Sequence, residues 1–270
     1  MIGSVNRKIA TAIAGILAAV SFLVWVEAQE KANRPDHSGF KDAKVCQPCH
    51  ADKYQMWEKS AHNRTMDRIA NNPADQSDKG SSASSCLTCH NPGSDAHPKQ
   101  LVENPEKLCN RCHSQRSVLS GKGAKGVEDI RSFHSGVSCV SCHMTEGNHA
   151  MKVLRPDDPG VSASRLDTCT RCHKDNNGKM RIKQLNEWHD TYKEYMEPIQ
   201  AELAEIDAAL KKNPALLDAK LQAKLDDARG NLSIIQLDKS EGAHNLDYSL
   251  EIMDLAKADL KDIKAAITKK

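Results

Sequence analysis

The sequence predicts a mainly α-helical protein. It has a loop-rich region over residues 29–180, a C-terminal bundle of long helices over 181–270 and a hydrophobic helix within residues 1–28. Three observations carry this expectation. Residues 181–212, 215–239 and 246–269 are rich in Ala, Leu, Lys, Glu and Asp, a helix-favouring composition. Residues 43–180 abound in Gly, Pro, Ser, Asn and Asp with few periodic apolar stretches, which implies short helices and long loops. Residues 9–26 form an apolar run.

The N-terminal run is preceded by Arg7 and Lys8 and broken only mildly by Thr11, Gly15 and Ser21. Val26, Glu27 and Ala28 then offer small residues where an A-x-A-like cleavage site needs them. A run of about 18 residues is longer than a usual signal core and just short of a bilayer span. A cleaved signal peptide and a retained membrane anchor formed by residues 9–26 therefore stand as equal readings. Both carry the rest of the chain across the cytoplasmic membrane, to a periplasmic or other extracytoplasmic location. Residues 29–42 are polar and read as a short tether.

The formal charge of the 270-residue chain is +2 at pH 7, which asks for no nucleic acid or other polyanion. Aromatic residues make up 4% of the chain and mean hydropathy is −0.61, so a core of side chains alone would be thin. The cysteines indicate what else fills it. All ten fall in C-x-x-C-H pentapeptides: Cys46 and Cys49 with His50, Cys86 and Cys89 with His90, Cys109 and Cys112 with His113, Cys139 and Cys142 with His143, and Cys169 and Cys172 with His173. Zinc knuckles or disulfides would leave the five histidines unexplained. The pentapeptide is a covalent haem attachment motif, in which two thiols form thioethers with the porphyrin and the adjoining imidazole sits beneath the iron. Five haem c groups are thus expected within residues 29–180. Their spacing is uneven, so the chain is a string of sites and not a solenoid. Long loops become acceptable there, because haem planes supply apolar surface and the bonds to them pin the backbone.

The C-terminal segments show one apolar stripe each: Leu203, Ile206 and Leu210 in the first, and Met253, Ala256, Leu260, Ile263 and Ile267 in the last. Internal packing of these stripes is the leading reading, and a helical interface between copies of the chain is the second. Pro214 separates the first two segments, and Ser240 to Gly242 separates the second from the third.

Function turns on the far face of each iron. A haem with two strong axial ligands passes electrons, whereas an open one can bind and transform a small molecule. Of 12 histidines, seven lie outside the motifs: His37, His62, His97, His134, His149, His189 and His244. That is enough to close all five positions. His97 follows the second motif in Asn91-Pro-Gly-Ser-Asp-Ala-His97, a segment similar to those in multihaem electron carriers, and is the candidate for the haem left over. His189 reads as a helix-surface residue and His37 as part of the tether.

The stretch His134-Ser-Gly-Val-Ser-Cys139-Val-Ser-Cys142-His143-Met144, with Asn148-His149 after it, resembles the fourth-haem region of ammonia-forming cytochrome c nitrite reductases. Arg229-Gly-Asn-Leu with Gly242-Ala-His244-Asn245 is similar to that family and to the hydroxylamine oxidoreductases, and the resemblance extends over most of residues 46–268. It implies His62, His134, His149 and His244 as distal ligands, with the first haem as the one left open. This chain departs from the family in three places. It has His50 where a proximal lysine is common, lacks the tyrosine-bearing segment after the third motif, and carries no histidine in residues 117–133. Proton donors for nitrite are thereby missing, and such catalysis needs them as well as an open metal.

The first expectation is therefore an electron carrier of an exported respiratory chain with closely packed, mostly bis-histidine haems. No catalytic residue is assigned. Its partners would be other redox proteins, or membrane quinol or a quinol dehydrogenase if the N-terminal helix is kept. A small nitrite- or hydroxylamine-type reductase with an open haem at His50 is the alternative. A structural subunit docked by its helical tail into a respiratory assembly is the third reading.

Overall fold

A computed structural model describes residues 43–63, 86–162, 166–174 and 179–269. The expected hydrophobic helix and its cleavage site lie outside them, as does His37. Among the described residues no helix is long and apolar enough to cross a membrane.

The fold is mainly α-helical, as the composition predicts. Among the described residues of 43–174 the helices are short and include α1 (Ala51–Glu58), α2 (Pro105–Asn110), α3 (Gln115–Ser120) and α4 (Cys139–His143), accompanied by 3-10 turns. Among the described residues an isolated bridge pairs His90 with Leu101. Three long helices follow: α5 (Lys179–Lys212), α6 (Ala219–Asp238) and α7 (Leu246–Thr268).

The long helices start where local chemistry permits. The Asp218 carboxylate accepts from the amides of Lys220 and Leu221, so α6 begins at Ala219 and not at 215 as composition suggested. Residues Pro214–Leu216 instead form a 3-10 turn. Asn245 caps α7 by accepting from the amide of Tyr248. Helix α5 continues through Pro198, whose missing N–H forfeits one bond of the ladder.

Helix α7 packs against both α5 and α6. Its stripe of Ile252, Met253, Ala256, Leu260 and Ile263 is buried against Ile199 and Ile206 of α5 and Leu225, Ala228, Leu232 and Ile235 of α6. Leu203, Leu210 and Ile267 are half-buried at the edge of this core. The predicted stripes thus meet inside one chain. Ion pairs such as Lys224 with Asp259 and Asp262 lie at the surface, where they add little.

The short-helix region is fastened to this bundle by polar bonds in buried positions. Asn245 Nδ2 donates to the carbonyls of Val118 (3.0 Å) and Ile130 (2.6 Å). Tyr248 Oη accepts from the Ala124 amide at 2.8 Å, and the Asn231 side chain exchanges two bonds with the backbone of Lys125. Val118 enters the core beside Tyr248. Gly121 makes this docking possible: its φ is +62°, and a Cβ there would stand 1.8 Å from the Ile130 oxygen. A smaller cluster of Ala43, Tyr54 and Trp57, with Cys86 and Met151 against it, draws the first motif to the second.

Candidate functional site

Each C-x-x-C-H motif folds as one helical turn. The histidine amide donates to the carbonyl of the first cysteine in four of them: His50 to Cys46 (2.9 Å), His90 to Cys86 (2.8 Å), His113 to Cys109 (3.0 Å) and His173 to Cys169 (2.9 Å). The fourth motif is helix α4 itself. Residues three and four apart share a helix face, so each turn presents both thiols and the imidazole together. Side chains reinforce the last two turns. Asp167 Oδ1 accepts from the amides of Cys169 and Thr170, while the Thr145 and Thr168 hydroxyls meet at 2.9 Å and Thr168 donates to the Cys142 carbonyl.

None of the ten cysteines, all among the described residues, is in a disulfide. Thiols of successive motifs are neighbours nonetheless. Cys86 is hydrogen-bonded to Cys46, and burial followed by that contact pushes its thiol up to about 11. Cys109 is hydrogen-bonded to Cys139, which raises the first and lowers the second. Cys89 interacts electrostatically with Cys112, and Cys142 with Cys172. The five turns therefore follow one another in space in the order in which the chain writes them.

Across from four of the motif imidazoles stands a second imidazole. His113 faces His62 with ring centroids 5.7 Å apart. His90 faces His149 at 6.1 Å, His173 faces His134 at 6.1 Å, and His143 faces His244 at 6.2 Å. The sequence reading put forward these four rings together with His97, and it assigned no pairing among them. His134 lies just before the fourth motif yet faces the fifth, and His149 lies just after the fourth yet faces the second. His50 and His97 are not among the eight paired histidines; both are described, His50 exposed and His97 half-buried on the loop before Pro98. His189 is half-buried on α5, where burial lowers its pKa.

These separations fit a haem iron. Two imidazoles bound on opposite faces of one metal, at about 2.0–2.1 Å with ring centres roughly 1.1 Å further out, place their centroids about 6 Å apart. The tautomers fit as well. Nδ1 of His90 lies 3.1 Å from the Lys99 carbonyl, that of His143 3.4 Å from the Met151 carbonyl, and that of His149 2.8 Å from the Gly147 carbonyl. Nδ1 of His244 lies 2.6 Å from Asp238 Oδ1. A carbonyl or carboxylate oxygen only accepts, so each Nδ1 carries the proton and each Nε2 keeps a free lone pair. Burial lowers the pKa of His62, His90, His134 and His143, which holds them as neutral imidazoles, the form that binds metal. Among the described residues no group of three or more His, Cys, Asp or Glu could hold a bare metal ion. Paired imidazoles with adjacent thiols suit an iron that brings its own four porphyrin nitrogens.

The sequence reading missed Asp238, Asn231, Tyr248, Thr145 and Thr168, which position the ligand-bearing segments. Asn245 had a legible signal, a capping residue directly before an apolar stripe. Asn231 and Tyr248 bond to Lys125 and Ala124, and Thr145 to Thr168, across long sequence separations, whereas Asp238 stands only six residues before His244.

Residues 45–114 match the family model described as cytochrome c554 and c-prime, and residues 94–174 match that of cytochrome c7 and related cytochrome c. The two segments together contain all five motifs. Neither family is the nitrite reductase or hydroxylamine oxidoreductase group that the sequence resembles. Among solved structures the chain is similar to the outer cell wall cytochrome OcwA, with a TM-score of 0.59 and 22% identity over 77% of this chain and 50% of that one. That likeness concerns the fold, and this chain spans about half the length of the protein it matches. No curated protein matches. The two family matches support covalently bound haem c and electron transfer by a multihaem c-type cytochrome.

Proposed function

We propose that the chain is a five-haem electron carrier in which Cys46/Cys49, Cys86/Cys89, Cys109/Cys112, Cys139/Cys142 and Cys169/Cys172 each hold one haem c. His50, His90, His113, His143 and His173 are the proximal ligands. The observation that carries this reading is the set of four imidazole pairs at about 6 Å, strung along attachment turns whose thiols touch or neighbour one another. His149, His62, His244 and His134 close the second, third, fourth and fifth haems respectively.

Haem supplies one-electron redox chemistry when bound. The residues of this chain space the attachment points, keep Nε2 of His90, His143, His149 and His244 unprotonated, and would supply two imidazoles to each of four haem irons, an arrangement that suits electron transfer and excludes substrate. Crowded attachment turns keep successive groups within hopping reach, so electrons need no large protein motion. The carrier works outside the cytoplasmic membrane, with residues 1–28 as export signal or anchor, and exchanges electrons with other redox proteins or with membrane quinol or its dehydrogenase.

The first haem decides between two variants of this reading. His97 is the proposed sixth ligand of the His50 haem, which completes an all-low-spin carrier. In the second reading that iron would stay open and would reduce a small nitrogen oxyanion or hydroxylamine. Mass spectrometry with ferric electron paramagnetic resonance tests both. Five covalent haems, all low-spin, is the carrier's result; one high-spin, ligand-accepting haem is the reductase's. A mass equal to bare polypeptide refutes both.

A further inference from the structure

We propose that Asp238 tunes the fourth haem: its buried carboxylate, by accepting the Nδ1 proton of His244, gives that axial imidazole partial imidazolate character and lowers the reduction potential of its iron. This rests on the reading of His143 and His244 as the axial pair of one haem.

Three other paired imidazoles, His90, His143 and His149, turn Nδ1 toward neutral backbone carbonyls, at 3.1, 3.4 and 2.8 Å. His244 turns it toward a carboxylate, at 2.6 Å, with the Asp238 side chain 3% exposed and His244 22%. Carbonyl and carboxylate both orient the ring, but a carboxylate also brings a full negative charge. Through the shared proton it raises the basicity of Nε2, and stronger donation favours ferric over ferrous iron. Burial strengthens the effect, because little water is present to screen the charge.

The chain is built to present this charge. Asp238 is the last residue of α6, at the helix end where backbone carbonyls already make the potential negative. The backbone then reverses through Lys239 at φ +57°. Ser240 Oγ donates to Asp238 Oδ2 and accepts from the His244 amide, so the turn closes around the pair. Asn245 follows, anchored to Val118 and Ile130, and fixes where His244 stands against His143. Tyr192 lies close enough for the Asp238 charge to contribute to raising its pKa.

The test is potentiometric titration of the purified haem-loaded protein, followed optically, for the wild type, Asp238→Asn and Ser240→Ala. Asn keeps the shape and an acceptor oxygen but removes the charge. One component is expected to rise by about 59 mV or more, a tenfold change in its one-electron equilibrium, with haem count and spin states unchanged. Ser240→Ala removes a donor from Oδ2, leaves more charge facing His244, and shifts the same component down. Unshifted components in Asp238→Asn overturn the proposal, as does a shift of the same sign in both variants. If Asp238→Asn does not yield folded protein, the absence of a downward shift in Ser240→Ala overturns it. His244→Ala separates this inference from the reading beneath it. An unchanged ferric spin-state spectrum refutes His244 as a ligand. A new high-spin haem in His244→Ala, with unshifted potentials in the other two variants, refutes the tuning alone.

Discussion

Asn245→Ala is expected to destabilise the folded protein by about 2–4 kcal/mol, by adding a lost helix cap of about 1 kcal/mol to a stranded buried carbonyl of about 1–3 kcal/mol. Asn245 is 6% exposed and makes three bonds: it caps α7 through the Tyr248 amide and donates to the carbonyls of Val118 and Ile130. The Val118 oxygen also accepts from the Gly121 amide, so truncation leaves it a partner, and the unsatisfied group is the Ile130 oxygen. The same change loosens the segment that carries His244. Guanidinium unfolding of the haem-loaded protein, followed by helical circular dichroism, reads the stability. A lower midpoint at unchanged slope is expected, with a growing high-spin fraction before the main transition. Tyr248→Phe, which removes the bond from the Ala124 amide while keeping the ring, is the milder companion. A loss below about 0.5 kcal/mol in Asn245→Ala would refute the reasoning, since it would fall within the range of an ordinary surface substitution.

His62→Ala should convert one low-spin haem to high spin while leaving the other imidazole pairs intact, and an unchanged ferric resonance spectrum would show that His62 binds no iron. Cys46→Ser combined with Cys49→Ser removes both thioethers of the first haem, and intact-protein mass spectrometry should find one covalent haem fewer; retention of all five contradicts the attachment scheme. Gly121→Ala forces a Cβ into the Ile130 carbonyl at positive φ, so unfolding measurements should show a loss greater than about 1 kcal/mol. Tyr192 is raised from its usual value to about 12, chiefly by burial, which favours the neutral phenol in the folded state. Its contribution is therefore fully present below pH 10 and lost as pH rises toward 12. Tyr192→Phe should flatten that alkaline limb of the stability curve, and an identical limb in both proteins would assign it to other groups.

The attachment motifs and the long helices were open to reading from the chain alone, because both are local. Five residues suffice to make a turn that presents two thiols and an imidazole, and apolar residues at helical steps bury wherever a partner stripe exists. Leu260 and Ile263 could thus be placed in a core before any partner was known. The start of α6 was less legible, because a 3-10 turn at Pro214 and the Asp218 cap compete with a helix-favouring composition.

Which imidazole stands opposite which was decided only in three dimensions. His134 and His149 lie on either side of the fourth motif, yet they face His173 and His90, and the fourth motif takes His244 from beyond α6. Residue types and spacings specify what a side chain can bond to, while the choice among chemically equal histidines depends on how distant segments pack. Here that packing is set by contacts such as those of Asn245 with Val118 and Ile130, which no local pattern encodes.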